Sequence, residues 1–351
     1  MAHPTRRHFL HAVAAAPVLT LVAAGRAGAQ MRLRMLLNSG YSSVNAWFCL
    51  ADDRGYLREA GLQLAFTDGR GAYTAAGRTA DEGFDIGYGD VNALVELAAA
   101  SNARAPVAVY MMFNRSPSVV AVPAASGIRA PRDLAGRHLR GHATDVALQT
   151  FPALAARVGV DAKTVHISTS EEGMGAVVAG MLKGDTDGIF GYESTITAAL
   201  ITAKIPVDSV RFFFYRDLVP ELYGSALMVS RRLAREQPRL VAGLVRAVNR
   251  GVADTIADPT AAIAAVRTRA PAIVEAAERA RLELTLRGEM GHPEGARLGI
   301  GAIDASRFGA GVRLLCVSKA LARVPAVLDV FGDAFPVPAA ERITRLASTR
   351  P

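Results

Sequence analysis

The chain has 351 residues, of which 51% are hydrophobic, and this length is sufficient for two domains, each with its own core. Only 6% of the residues are aromatic, and the abundance of alanine, valine and leucine is typical of helices packed on a parallel sheet. The formal charge is +8, and residues 1–30 contain three arginines and no acid, which leaves +5 for the remainder. The positive residues are scattered without a basic run of five, a pattern that argues against nucleic acid as a partner.

Residues 1–29 are predicted to be a cleaved export signal rather than part of the fold. The sequence TRRHFL at 5–10 matches a twin-arginine signal, and the apolar run at 12–24 is too short to span a bilayer. The small residues at 27–29 form a cleavage site, and no cysteine follows it to carry a lipid anchor. We therefore expect a soluble periplasmic protein exported by the Tat route, with a Sec signal that happens to contain two arginines as the alternative.

Short apolar runs separated by helical patterns predict an α/β architecture. Strands are expected at residues 32–37, 62–66, 84–86, 107–112, 118–122, 165–168, 188–190, 212–215 and 225–229. From residue 231 onwards the pattern is almost entirely helical. Such a tail would cover the first sheet and wrap around the connection between the domains.

Two segments about a hundred residues apart share one pattern, a helix end followed by a short strand, glycine and tyrosine. The first is DEGFDIGYGDVNALVEL at 81–97 and the second is MLKGDTDGIFGYE at 181–193. Each is expected to end in a turn that carries a tyrosine and a carboxylate, namely Tyr88 with Asp90 and Tyr192 with Glu193. Ligands bind at the carboxyl ends of strands in open α/β sheets, so these turns would face each other across a cleft between two lobes. The alternative is two unrelated strand-to-helix turns.

Further candidate ligand contacts lie in strand-end loops or carry rings that could stack on a flat solute. They are Asn38, Tyr41, Trp47, Arg70, Asn114, Arg115, Thr144, Asp145 and Tyr223. The carboxylates suit a ligand with N–H donors or a cationic part, while Arg70 and Arg115 leave room for an anionic group. Helix capping is the alternative role for Asp90 and Asp145, and core packing is the alternative for Trp47.

The order of several motifs resembles a known family. Residues 47–66, WFCLADDRGYLREAGLQLAF, resemble the opening of periplasmic substrate-binding proteins of ABC transporters, and GIRAPRDLAG at 127–136 is similar to a second signature of that family. Residues 181–187 and 222–230 fit two further elements. The resemblance extends over residues 31–270 and is to the branch that binds nitrate, alkanesulfonates, taurine and thiamine pyrimidine precursors.

The resemblance implies a bilobed, type II periplasmic-binding-protein fold with two crossing strands and a helical C-terminal region. The expected boundaries are 30–123 plus 225–351 for lobe I and 124–224 for lobe II. It also implies a monomer without a cofactor that passes a small solute to an ABC permease in the inner membrane. We favour a pyrimidine-like thiamine precursor as the solute, with a sulfonate, taurine or an aromatic carboxylate as the alternative. A periplasmic partner of a membrane sensor stays open.

An enzyme is the competing class, since eukaryotic relatives make a thiamine pyrimidine and carry a cysteine-rich iron motif. Here Cys49 has no second cysteine nearby, and the sequence holds no HExxH, CxxC or GxSxG motif. His138 and His142 lie four residues apart in a strand that runs into a loop, so we expect no metal site. Cys49 and Cys316 both occur in apolar helical patterns, which favours free thiols over a disulfide.

Overall fold

The computed structural model describes Met1 and residues 30–346. The predicted export signal therefore lies, apart from Met1, outside the described residues. The strands of the described region are β1 (Met31–Leu36), β2 (Leu62–Thr67), β3 (Ile86–Asp90), β4 (Val107–Met111), β5 (Ser118–Pro123), β6 (His138–Gly141), β7 (His166–Thr169), β8 (Gly188–Tyr192), β9 (Val210–Phe214) and β10 (Ser225–Val229).

The α-helices surround these strands and fill the C-terminal region, as the sequence predicts. They are α1 (Ala46–Asp53), α2 (Tyr56–Glu59), α3 (Ala75–Asp81), α4 (Val91–Ala100), α5 (Val146–Gln149), α6 (Phe151–Val158), α7 (Met174–Lys183), α8 (Glu193–Thr202), α9 (Tyr215–Leu218), α10 (Arg231–Glu236), α11 (Pro238–Ala257), α12 (Pro259–Arg269), α13 (Glu275–Leu284), α14 (Pro293–Leu298), α15 (Ala305–Ser318) and α16 (Val327–Val330). A π-helical turn, Thr285–Glu289, directly follows α13.

The strands form two five-stranded sheets with equivalent topology. The first sheet has the order β2-β1-β3-β10-β4 and the second the order β7-β6-β8-β5-β9. In each sheet one strand runs antiparallel to both of its neighbours, β10 in the first and β5 in the second. These are the two crossing strands, and the predicted α/β fold with two lobes is confirmed.

The chain crosses to the second sheet between Met111 and Ser118 and returns to the first sheet at Ser225. Strand β5, which the predicted boundary assigns to lobe I, pairs along its length with β8 and β9 of the second sheet. Backbone hydrogen bonds to both neighbours determine this position, and the hydrophobic pattern of residues 118–122 carries no information about which sheet they join.

The glycine-flanked segment around Tyr88 is a strand rather than the predicted turn. Strand β3 continues to Asp90, which pairs with Ser225 of β10. The two glycines are needed for close packing, because a Cβ at Gly87 would collide with Thr79 Oγ1 and a Cβ at Gly89 with Ala75. The helix α4 then begins directly after Asp90, as predicted.

The C-terminal helices connect the two lobes. Helix α11 packs against α1, where Gly251 lets the backbone of Trp47 approach closely. Helix α13 instead packs on α8 of the second lobe, and its Glu278 accepts a hydrogen bond of 2.7 Å from the backbone N–H of Ser43 in the first lobe. Through α13 the C-terminal segment therefore contacts both lobes. It also contacts the connection between the lobes, which we call the hinge, where the N–H of Arg115 donates to the carbonyl of Glu289 at 3.0 Å.

Cys49 and Cys316 are both buried free thiols, as predicted. No helix in residues 30–346 is long and apolar enough to cross a membrane.

Candidate ligand site between the two lobes

A cavity of about 430 Å³ lies between the lobes, a volume within the range of small-molecule sites. Its walls come from both lobes and from α13. The lining residues are Asn38, Ser39, Val44, Arg70, Gly71, Ala72, Phe113, His142, Ala143, Thr144, Asp145, Val146, Glu171, Met174, Gly191, Tyr192, Thr195 and Arg281. Five of the predicted ligand contacts are therefore among them: Asn38, Arg70, Thr144, Asp145 and Tyr192.

The first-lobe wall is built from two loops that hold each other. The N–H of Gly71 donates to the carbonyl of Asn38 at 3.0 Å, so the loop after β2 is fixed on the loop after β1. Gly71 has a φ of 103°, which a side chain rarely adopts, and a Cβ there would lie 2.8 Å from Thr144 Oγ1. Glycine is thus required where the two lobes approach each other.

Asp145 combines the two roles that the sequence left open. It caps α5, with Oδ1 accepting from the N–H of Ala147 at 2.9 Å, and part of its side chain faces the cavity. Burial raises the pKa of Asp145 to about 6, while the Ala147 N–H and the charge of His142 act in the opposite direction. At pH 7 the carboxyl is therefore ionised and can accept a hydrogen bond from a solute.

Tyr192 lies at the end of β8 and lines the same cavity. Its hydroxyl is buried and has no hydrogen-bond partner among the described residues. Burial is the main cause that raises the pKa of Tyr192, and the charges of Asp90, Asp145 and Glu289 raise it further. The charges of three carboxylates, of which Asp145 lines the cavity, therefore act on this tyrosine.

Asp90 is fully buried and does not line the cavity. Its Oδ1 caps α4 by accepting from the N–H groups of Asn92 at 2.9 Å and Ala93 at 3.4 Å. Within the described part of the chain its Oδ2 has no partner, and burial raises the pKa of Asp90 to about 7. Asp90 is therefore the cap that the sequence offered as its alternative role, and it is not among the residues that line the cavity, where it was predicted to contact a ligand.

Glu289 is a buried carboxylate that sequence reasoning missed. It ends the π-helical turn, and such turns are frequent at functional sites. Its Oε1 accepts from Ser194 Oγ at 2.9 Å, and its carbonyl accepts from the N–H of Arg115 at 3.0 Å. Burial raises the pKa of Glu289 to about 7. The residue therefore joins the C-terminal segment both to the second lobe and to the connection between the lobes.

Glu193 does not line the cavity, contrary to the prediction that it faces a ligand together with Asp90. Its Oε2 accepts from Arg216 Nη1 at 2.6 Å, and both side chains are largely buried. Tyr192 ends β8 and Glu193 begins α8, so the two consecutive side chains leave the strand end in different directions. The partner from α9 then fixes the carboxylate away from the cleft.

Three predicted ring contacts also pack elsewhere. Trp47 and Tyr88 are fully buried in the first-lobe core, with centroids 6.2 Å apart in an edge-on arrangement. Tyr41 packs against the same core. Of the aromatic residues around the cavity, Phe113 and Tyr192 are the two whose rings line it.

The last three predicted contacts, Asn114, Arg115 and Tyr223, belong to the hinge. Asn114 Nδ2 donates to Glu294 Oε1 at 2.9 Å, and the Tyr223 hydroxyl donates to Glu294 Oε2 at 2.7 Å. Arg307 completes the network through a 2.8 Å ion pair with Glu294. This network ties both connections between the lobes to the C-terminal segment, and Arg115 lies beside it.

Several lining residues were not predicted from the sequence, among them Phe113 and Arg281. Phe113 immediately precedes a predicted contact and could have been found from its place at a strand end. Arg281 lies on α13, far along the chain from both lobes' loops, and nothing in its local pattern distinguishes it from an exposed arginine. In residues 30–346 no group of three or more His, Cys, Asp or Glu side chains is arranged to hold a metal ion.

The sequence profile of the family described as "NMT1/THI5 like" matches residues 43–262. Comparison with curated protein sequences gives no significant match.

Solved structures share the fold at low sequence identity. The alkanesulfonate-binding protein SsuA from Xanthomonas axonopodis pv. citri, bound to MOPS, has a TM-score of 0.66 and 15% identity over 86% of this chain and 98% of its own. The periplasmic aliphatic sulphonate-binding protein SsuA from Escherichia coli has a TM-score of 0.65 and 14% identity over 91% of this chain and 98% of its own. The desulfurization enzyme DSZB has a TM-score of 0.53 and 14% identity over 88% of this chain and 98% of its own. The chain thus belongs to the NMT1/THI5-like family and has the bilobed periplasmic-binding-protein fold.

Proposed function

We propose that the protein is the solute-binding component of an ABC importer, and that it closes its lobes around a small organic solute in the periplasm. The observation that carries the proposal is the cavity of about 430 Å³, whose walls come from both lobes. A solute that contacts both walls favours the closed population, which a permease can then recognise. The protein acts as a monomer, without a cofactor, and delivers the solute to a permease in the inner membrane.

The second-lobe wall favours a solute with N–H donors or a cationic part. Asp145 and Glu171 contribute carboxylates to this wall, and Tyr192 adds a ring and a hydroxyl. A flat ring carrying an amino group could contact Phe113 or Tyr192 through its face and donate to Asp145. A pyrimidine-like thiamine precursor has this chemistry and is the solute we favour.

A sulfonate or an aromatic carboxylate is the second candidate. Arg70 lines the first-lobe side of the cavity and forms no ion pair with any described residue, and Arg281 of α13 also lines the cavity. The Nε of Arg281 has no hydrogen-bond partner in the described region, and its Nη1 lies 3.5 Å from Glu278 Oε1, so Arg70 is the stronger candidate for an oxyanion contact. Two proteins that share the fold are named for sulfonate binding.

The proposed function involves binding without chemistry. Because one protein of this fold is named as an enzyme, the solute should be recovered after prolonged incubation and its mass measured. An unchanged mass supports a binding protein, and a new product would contradict it.

A ligand screen with two variants tests the solute class. The mature protein is screened by thermal shift against aminopyrimidines, sulfonates and aromatic carboxylates, and each ligand that stabilises it is titrated by calorimetry. If the solute donates to Asp145, Asp145→Asn should weaken binding about ten- to a hundredfold, while Arg70→Gln should have little effect. Asp258→Asn is the matched control, since Asp258 caps α12 away from the cavity.

The pH dependence of binding gives an independent check. Since the pKa of Asp145 is about 6, the affinity for a donor ligand should fall as the pH is lowered below 6 and the carboxyl takes up a proton. Wild-type affinity in Asp145→Asn, together with a strong loss in Arg70→Gln, would favour the anionic solute instead. A scattering profile that does not change at ligand saturation would contradict closure of the lobes.

A further inference from the structure

A second cavity, of about 400 Å³, lies against the connection between the lobes, and we call it the hinge pocket. It is lined by Arg115 from the connection after β4, by the turn at 290–296 and by the segment 343–346. It shares no lining residue with the solute cavity. Among the described residues, its lining includes no Asp or Glu, and its charged or titratable members are Arg115, His292 and Arg345.

The guanidinium of Arg115 is half-buried and makes no hydrogen bond or ion pair with the side chains or carbonyls of the described residues. Burial lowers the pKa of Arg115, and the nearby charges of Arg216 and Arg307 lower it further. Asp217 acts in the opposite direction but is exposed and forms no ion pair with it. A partly buried cation without a counterion is costly, so the site favours an anion.

Two carboxylates near the hinge pocket already have partners, whereas Glu289 Oε2 has none among the described residues. Glu193 pairs with Arg216 at 2.6 Å, and Glu294 pairs with Arg307 at 2.8 Å. Neither can therefore neutralise Arg115 without giving up an ion pair of its own. The excess positive charge of the pocket is left for a ligand.

His292 adds a neutral hydrogen-bond donor to the pocket wall. Its Nδ1 accepts from the N–H of Glu294 at 3.1 Å, which leaves the ring proton on Nε2. Burial lowers the pKa of His292, and so does the charge of Arg307. The ring is therefore uncharged at neutral pH and can donate to an oxyanion.

We propose that the hinge pocket binds a small oxyanion such as phosphate or sulfate, with Arg115 as the main contact and His292 and Arg345 as additional donors. The N–H of Arg115 donates to the carbonyl of Glu289, whose side chain contacts Ser194 of the second lobe. An anion bound here thus holds together the segments that move when the lobes close. The proposal does not depend on the identity of the transported solute.

Titration of the full mature chain with phosphate and with sulfate tests the site. The thermal midpoint is followed without solute, against chloride at matched ionic strength. The wild type should show a saturable rise in midpoint, and Arg115→Gln should weaken the affinity about ten- to a hundredfold. Arg345→Gln should weaken it less because Arg345 is exposed, and Arg132→Gln, on a remote exposed side chain, should not change it.

Two cavity variants separate the hinge pocket from the solute site. Arg70→Gln and Arg281→Gln remove the cations of the solute cavity and should retain the anion effect. Loss of the effect in these variants with retention in Arg115→Gln would place the anion in the solute cavity and overturn the proposal. A wild-type midpoint that follows ionic strength alone would overturn it as well. If Arg115→Gln does not fold, Arg115→Lys is titrated instead. It keeps the charge, but the loss of a bidentate contact should still weaken anion binding severalfold.

Discussion

Glu289 leads to a prediction about how stability depends on pH. Its carboxyl is buried, and its pKa is raised from 4.5 to about 7. Between these values the native state holds a proton that the unfolded state has lost. The free energy of unfolding therefore falls as the pH rises through this window. At about 1.4 kcal/mol for each pKa unit, ionised Glu289 costs the native state roughly 3 kcal/mol at pH 8.

The substitution Glu289→Gln tests this cost directly. Glutamine has the shape of a protonated glutamate, can still accept from Ser194 Oγ, and does not ionise. Without ligand, the variant should be more stable than the wild type at pH 8 by up to roughly 3 kcal/mol and almost equal to it at pH 5. Urea unfolding at pH 5, 6, 7 and 8, analysed with a common slope, measures the difference.

The wild type contains other buried carboxyls, so the comparison depends on the difference between the two proteins. Burial also raises the pKa of Asp90 to about 7 and that of Asp145 to about 6, and both contribute to the slope in wild type and variant alike. Glu236→Gln, on a half-exposed side chain, is the control and should not alter the slope. Parallel stability curves for wild type and Glu289→Gln from pH 5 to pH 8 would refute the reasoning.

Three further variants test the cleft and its supports. Gly71→Ala should weaken solute binding about tenfold in calorimetry, because the added Cβ would meet Thr144 of the second lobe when the lobes close. Gly83→Ala, which is also at positive φ but in open space, is the control and should bind normally. Equal affinities of the two variants would contradict the contact. Asp90→Asn should keep or raise the thermal midpoint at pH 7, because asparagine caps a helix equally well. Asp90→Ala should lower the free energy of unfolding by about 1 kcal/mol. A large loss of stability in Asp90→Asn would show a role beyond capping. Glu193→Gln should lower the unfolding free energy by roughly 1–3 kcal/mol, since Arg216 loses its 2.6 Å partner, and an unchanged urea midpoint would show that the pair contributes nothing.

The sequence alone was sufficient for the fold and for the position of the cleft. Strand and helix periods are local properties, and most of the predicted strands lie within one or two residues of their place in the structure. The capping roles of Asp90 and Asp145 were also readable, because an N-cap depends on the few residues that follow it. Since strand ends bind ligands in such sheets, the loops at Asn38, Arg70 and Tyr192 could be assigned to the cleft.

Which side chains reach the cavity was decided by contacts between distant segments. Glu193 follows a strand end like the true lining residues, yet Arg216 pairs with it outside the cavity. Trp47 has a flat ring that could stack on a solute, but it is buried because α11 covers α1. Arg281 lines the cavity because α13 packs on the second lobe, and the same segment brings Glu289 to Ser194. A local pattern specifies the type and the ends of a helix or strand. The direction in which a side chain points depends on partners from distant segments, which only the tertiary structure supplies.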